Sequence, residues 1–141
     1  MEMTKATDIR KEWSAACDSV VRDKPLFIKR TRDRIWMSGM DVMTQILEAY
    51  DFNADLLHEK DGSITLSLRE IDLIENGIDE IAARKALGDA ILVYSDDYYN
   101  EFDMYSHTPN RKGHIPYIFK ALIIGDGEEI GRQIICHDGK N

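Results

Sequence analysis

Apolar residues recur at about every fourth position in two stretches of the first fifty residues, which predicts two amphipathic helices. The first is predicted from Thr7 to about Asp23, with Thr7 as its N-cap and Asp8 in its first turn. The second is predicted to begin at Ser38, because Ser38 and Asp41 have the spacing of a capping box. The expected apolar stripes comprise Ile9, Trp13, Ala16, Cys17, Val20 and Val21 in the first helix, and Met43, Ile46, Leu47 and Tyr50 in the second.

Short strands are predicted around the first helix. Met1–Lys5 is a candidate strand, and Pro25 precedes two apolar segments, Leu26–Ile28 and Arg34–Met37, that favour a hairpin turning at 31–33. The first fifty residues therefore form a predicted β-α-β-β-α unit. A unit this small buries little apolar surface, so we expect it to dimerise, with Trp13 and Ile9 on the shared face.

Strict alternation of apolar and polar residues begins in the next segment, 51–106. A strand is predicted at Phe52–Leu57, a turn at 60–62, and a half-buried strand through Ile64, Leu66 and Leu68. A third strand is expected at Ile71–Glu75, followed by a helix capped by Asp79. The stripe of that helix comprises Ala83, Leu87, Ala90, Ile91, Tyr94 and Tyr98; Gly88 lies inside the helix, so a local packing reason is expected for it.

The last segment, 107–141, reads as a polar loop and two short helices. Pro116 suits a first helical turn, Gly125 a helix end, and Asp126 the start of a second helix. Residues 138–141 are expected to fray. The predicted fold class is α+β, in three parts: 1–50, 51–106 and 107–141.

Composition adds limits to this picture. Of 141 residues, 43% are hydrophobic and 31% charged, an ordinary balance for a globular protein, and apolar runs such as Ala90–Val93 are too short to cross a bilayer. The first ten residues lack the apolar segment of a secretory signal, so a cytoplasmic location is expected. Cys17 and Cys136 are too few for a disulfide framework or a four-cysteine zinc site.

The net charge of −8 is unevenly distributed. Residues 1–50 carry +1, residues 51–104 carry −10 and residues 105–141 carry +1. The basic cluster of the first part comprises Arg22, Lys24, Lys29, Arg30, Arg32 and Arg34. This split favours two modules with different partners, phosphate for the basic cluster and a basic protein for the acidic block. An ordinary solvated surface explains the charge pattern equally well.

No catalytic constellation emerges from the residues. The four histidines lack metal-ligand spacing, and carboxylate pairs such as Asp96-Asp97 are more typical of solvated helix faces than of a magnesium-dependent nuclease. We therefore expect no catalytic residues, no metal and no cofactor. His107 and His114 flank Arg111-Lys112 in a loop that could contact phosphate or nucleic acid, although a solvated loop is the simpler interpretation.

The first fifty residues resemble the Phd/YefM (prevent-host-death) antitoxin family. The shared pattern is Thr7-Asp8-Ile9-Arg10, the following helix, the Pro25-led strand with Lys29-Arg30, the strand Ile35–Met37, and Ser38. The resemblance implies a dimer that contacts operator DNA through the hairpin region and the arginine of the motif. The residues expected to bind DNA are then Thr7, Arg10, Lys11, Lys29, Arg30, Arg32 and Arg34.

Residues 51–100 more faintly resemble the HicB-like antitoxin fold. The shared features are two strands joined by an Asp-Gly turn, a short apolar segment, Asn76-Gly77 and a helix. The expected architecture is thus a Phd/YefM-like module, a small ββ(β)α HicB-like module and C-terminal helices.

These observations together predict the antitoxin of a type II toxin–antitoxin system, which binds its own promoter as a dimer and neutralises a basic toxin through its C-terminal part. Tyr99, Phe102 and Tyr105 are candidate anchors for the partner, since aromatic residues dominate binding hot spots, although packing inside the protein accounts for them too. The alternative function is a non-enzymatic dimeric adaptor that does not bind DNA.

Overall fold

The computed structural model describes residues 1–139; Lys140 and Asn141, part of the segment expected to fray, lie outside the described residues. The chain divides into two compact units, Met1–Ile46 (unit 1) and the part from Leu47 onward (unit 2). The strands are β1 Thr4–Lys5, β2 Leu26–Arg30, β3 Asp33–Met37, β4 Asn53–His58, β5 Ile64–Leu68, β6 Ile74–Gly77 and β7 Ile135–Asp138. The α-helices are α1 Ala6–Lys11, α2 Trp13–Arg22, α3 Met40–Leu47, α4 Glu80–Asn100, α5 Phe102–Ser106, α6 Ile115–Ile124 and α7 Gly127–Gln133, and a 3₁₀ turn spans Lys112–His114.

The sheet of unit 1 has the order β1-β2-β3, with β1 parallel and β3 antiparallel to β2. The predicted hairpin is confirmed, and its strands are longer than expected because Arg30 pairs directly with Asp33. Only Thr31 and Arg32 remain in the turn. Thr31 has φ 53°, a left-handed conformation that glycine or asparagine more often supplies.

The predicted first helix is broken into two. Glu12 has φ −124° and ψ 48°, which separates α1 from α2. The helix begins at Ala6, so the prediction of Thr7 as N-cap is wrong; Lys5 occupies that position without a side-chain cap. The Ser38 capping box is also wrong, because α3 begins at Met40 and the Ser38 hydroxyl donates to the carbonyl of Gly39.

The sheet of unit 2 has the order β6-β5-β4-β7. The alternation in β5 is confirmed, since Ile64, Leu66 and Leu68 are buried while Thr65 and Ser67 are not. The third strand lies three residues later than predicted, at Ile74–Gly77. The core of the unit is built from the inner face of this sheet together with buried residues of α4, α6 and α7.

Helix α4 is the central packing element of unit 2. Asp79 caps it as predicted, accepting a hydrogen bond from the amide of Ala82 at 2.8 Å. The expected packing reason for Gly88 is found at its contact with α7: a Cβ there would collide with the carbonyl of Gly127 and lie 2.7 Å from the amide nitrogen of Gly131. The absence of a side chain thus lets the two helices approach closely.

The predicted frayed C-terminus is wrong for its described part. Residues Ile135–Asp138 form β7, parallel to β4, and the amide of Gly139 donates to the carbonyl of Leu56 at 2.8 Å. A parallel partner far away in the sequence leaves no local signal, so spacing alone could not find it. The segments predicted as 51–106 and 107–141 both contribute to this sheet and core.

Candidate partner-binding surfaces

The hairpin of unit 1 presents its basic residues on two different faces. Side chains of directly paired residues lie on the same side of a sheet. Lys29 is paired with Arg34, and Phe27 with Trp36. All four side chains are exposed, so one face combines two cations with two aromatic rings.

The other face of the same hairpin is partly covered by helix. Ile28 is buried there against Ile9 of α1 and Ala16 of α2. Arg30 lies on this side and forms a 2.7 Å ion pair with Asp33. Of the basic hairpin residues, Arg30 therefore has a carboxylate partner already, whereas Lys29, Arg32 and Arg34 have none among residues 1–139.

The residues predicted from the Thr7–Arg10 motif lie on α1. Thr7, Arg10 and Lys11 are all exposed. Arg10 and Lys11 occupy the last turn of this six-residue helix, where cations are favoured by the helix dipole. All three side chains are accessible. Thr7 lies in the first turn of α1, whereas Arg10 and Lys11 lie at its end rather than near a helix N-terminus.

In unit 1, more large hydrophobic residues are exposed than are buried. The buried hydrophobic residues are Ile9, Ala16, Val20 and Ile28. The exposed large ones are Met1, Trp13, Val21, Phe27, Ile35, Trp36, Met40 and Ile46. Trp13 is 57% exposed, so it is available for an interface, whereas Ile9 at 9% is not. The expected Trp13/Ile9 face is therefore wrong in its second residue.

The three predicted aromatic anchors of unit 2 differ in accessibility. Tyr99 is 57% exposed and touches Phe119 only edge-on. Phe102 packs between Tyr98 and Phe119, and Tyr105 stacks on Tyr98 with ring centroids 5.0 Å apart. Tyr99 is therefore on the surface, whereas Phe102 and Tyr105 are half-buried among other aromatic side chains.

Near Tyr99, the solvent side of α4 is apolar and acidic together. Val93 is 61% exposed, and Asp96 and Asp97 are exposed without an ion pair among the described residues. Met104 of α5 is exposed as well. We call the surface formed by Val93, Asp96, Asp97, Tyr99 and Met104 the α4 face.

A cleft of about 180 Å³ lies between α4 and the loop that precedes α6. The Tyr94 hydroxyl is 2.8 Å from His114 Nδ1, and Arg111 Nη1 donates to the same hydroxyl at 3.2 Å. Burial raises the pKa of Tyr94, and burial together with the Arg111 charge lowers the pKa of His114. Sequence reasoning noticed Arg111 and His114 but not Tyr94, whose spacing marked it only as a core residue.

Residues 1–139 contain neither a metal-binding cluster nor a membrane-spanning helix. No group of three or more His, Cys, Asp or Glu side chains is arranged to hold a metal ion. No helix in this range is both long enough and apolar enough to cross a membrane.

Comparison with known proteins identifies the family. A PHD-like family model, described as "Antitoxin of toxin-antitoxin, RelE / RelB, TA system", matches residues 1–136. The chain belongs to this antitoxin family. Membership of this family implies a toxin partner. The match extends over nearly the whole antitoxin chain, not only the first fifty residues.

A solved structure agrees with this assignment. The crystal structure of an antitoxin part of a putative toxin/antitoxin system from Syntrophomonas wolfei subsp. wolfei is 33% identical, with a TM-score of 0.92. The alignment covers 99% of this antitoxin and 100% of that chain. No curated protein matches this antitoxin. The predicted antitoxin function and the α+β class are confirmed at this level.

Proposed function

We propose that the antitoxin divides its two tasks between its units: unit 1 dimerises and binds promoter DNA, and unit 2 binds and neutralises a basic toxin. The charge distribution is the observation that carries the proposal. Unit 1 has nine Lys/Arg and seven Asp/Glu, a charge of +2, whereas unit 2 has nine and nineteen, a charge of −10. DNA attracts the first, and a basic protein attracts the second.

The DNA contact is proposed for the hairpin, as in Phd/YefM antitoxins. Lys29 and Arg34 are adjacent and without carboxylate partners among residues 1–139, and Arg32 lies at the turn. Arg30 is a weaker candidate, since Asp33 neutralises part of its charge. Thr7, Arg10 and Lys11 on α1 would contact the DNA backbone, because phosphate oxygens accept hydrogen bonds from such side chains.

Dimerisation is proposed from the apolar surface of unit 1. A unit with four buried hydrophobic residues and eight exposed large ones gains stability when a second copy covers part of that surface. A two-fold dimer would also present two hairpins to a palindromic operator. Sedimentation equilibrium at micromolar concentration should give twice 16.2 kDa; a strict monomer at high concentration would contradict the dimer.

Toxin binding is proposed for the α4 face. Val93, Tyr99 and Met104 supply exposed apolar anchors, and Asp96 and Asp97 supply charge that a basic partner can neutralise. Of the predicted anchors, Tyr99 is the one placed to make this contact. Phe102 and Tyr105 would act indirectly, by packing against Tyr98 and, for Phe102, against Phe119 as well.

Salt-dependent DNA binding tests the first half of the proposal. The variants Lys29→Ala and Arg34→Ala should each weaken binding to the upstream promoter DNA. Each should also reduce the slope of log K against log salt by about one, because one phosphate contact is lost. Arg22→Ala is the matched control: Arg22 belongs to the basic cluster but pairs with Asp18 on α2.

The outcome separates the proposal from its alternative. Unchanged affinity and slope in both hairpin variants would favour an adaptor that does not bind DNA. A loss of equal size in Arg22→Ala would mean that only net charge matters and that the hairpin is not the contact.

A further inference from the structure

Arg111 differs from the other arginines of unit 2. Arg69, Arg84 and Arg132 each lie within 4 Å of a carboxylate. Arg111 has no such partner among residues 47–139, although unit 2 contains nineteen acidic residues. Neutralisation of a neighbouring carboxylate therefore does not explain the presence of Arg111 at this position.

The Arg111 side chain is held firmly in place. Its Cζ lies 5.6 Å from the ring centre of Tyr94 and 5.2 Å from that of Tyr105. Its backbone carbonyl accepts a 2.8 Å hydrogen bond from the Tyr98 hydroxyl. Three tyrosines therefore fix both ends of one residue, so little rotamer entropy remains to be lost on binding a ligand.

The hydrogen bonds of Arg111 leave most of its donors unused. A guanidinium has five N–H groups and no acceptor. Within residues 1–139, the Arg111 guanidinium donates only to the Tyr94 hydroxyl. The Tyr94 hydroxyl accepts this bond and also lies 2.8 Å from His114 Nδ1, so it connects Arg111 to His114.

The walls of the cleft are rich in donors. Arg111, His114, Asn110 and Tyr94 line it together with Asp72 and Leu73. The guanidinium fork and the Asn110 amide are donors that suit a planar oxyanion. Asp72 has no oxygen within 4 Å of an Arg111 nitrogen, and its charge leaves the cleft nearly neutral overall.

We infer that this cleft is a binding site for a single carboxylate group, held by the Arg111 guanidinium fork. Its volume of about 180 Å³ suits a small acid or the acidic terminus of a chain. A monoanion is favoured over a dianion such as phosphate, because Asp72 repels a second negative charge. The site lies apart from the α4 face and does not depend on the proposed function.

Titration of the ¹⁵N-labelled full chain with defined probes tests this inference by NMR. Sodium acetate and N-acetyl-alanine should both shift the Arg111 Nε–H and His114 signals saturably, whereas N-acetyl-alanine amide should not. Tighter binding of N-acetyl-alanine would indicate a chain terminus as the natural source, and equal binding a free small carboxylate. Phosphate that binds as tightly as acetate would overturn the monoanion assignment.

Three variants identify the residues responsible. Arg111→Lys keeps the charge but loses the fork, and should weaken acetate binding about tenfold. Asp72→Asn changes an exposed residue, so it should fold normally and bind both acetate and phosphate more tightly. Arg132→Gln is the control, because Arg132 is already paired with Glu128 and Glu129. Equal weakening in Arg132→Gln, or no change in Asp72→Asn, would overturn the site.

Discussion

Gly88→Ala probes the close contact between α4 and α7. The new Cβ would meet backbone atoms of Gly127 and Gly131, with the Gly131 nitrogen 2.7 Å away, and backbone cannot rotate aside as a side chain can. The helices would have to move apart, because these contacts lie well inside van der Waals distance. Overpacking of this kind costs about 1–3 kcal/mol, and the better helix propensity of alanine offsets about 1 kcal/mol. Because the obstacles are backbone atoms, we expect the upper half of the overpacking range, about 2–3 kcal/mol, and therefore a net loss of about 1–2 kcal/mol.

Thermal unfolding followed by circular dichroism measures this loss. For a unit of this size each kcal/mol shifts Tm by about 4–8 °C, so Gly88→Ala should lower the Tm by about 5–15 °C. Gly113→Ala is the matched control, because nothing lies within 4 Å of its added Cβ, and its Tm should stay the same or rise slightly. A Tm for Gly88→Ala at or above that of Gly113→Ala would refute the close approach.

Two further predictions concern pH and helix capping. Burial lowers the pKa of His114 below its ordinary value of 6.5, so on acidification the unfolded chain takes up a proton before the folded one, and the free energy of unfolding should fall as the pH drops below about 6.5. Urea unfolding at pH 7.5 and 5.5 measures this fall, which should be smaller in His114→Gln than in the parent protein. An equal fall in both would contradict the burial of this ring. Asp79→Ala removes the oxygen that accepts from the Ala82 amide and should lower the free energy of unfolding by about 1 kcal/mol. Asp79→Ser keeps a capping oxygen and should lose much less stability. Equal losses in the two variants would mean that the lost cap does not explain the destabilisation.

Local rules predicted the elements whose cause lies within a few residues. Asp79 starts a helix because its carboxylate binds an amide of the first turn, and Gly125 ends one because it adopts φ 68°. The alternation through Ile64, Leu66 and Leu68 predicted β5 correctly, because every second side chain of a strand faces the same side of the sheet and is buried there. Gly88 stood out as a cost that tertiary packing had to offset, and the structure shows that packing.

Features set by distant partners could not be predicted in this way. Strand β7 exists because β4 pairs with it in parallel, some eighty residues earlier in the chain. The break at Glu12 interrupts an otherwise regular apolar stripe and turns Trp13 outward. The Arg111 cleft needs α4 and the later loop in contact, so Tyr94 and Arg111 looked unrelated in the sequence.

Hydrogen exchange of the full-length antitoxin tests the division of tasks most directly. The chain is compared alone, with its upstream promoter DNA, and with its cognate toxin. The account predicts that DNA slows exchange mainly in Leu26–Met37 of unit 1 and that the toxin slows it mainly in residues 93–104 of unit 2. Protection by the toxin confined to residues 1–46, or by DNA confined to unit 2, would contradict it.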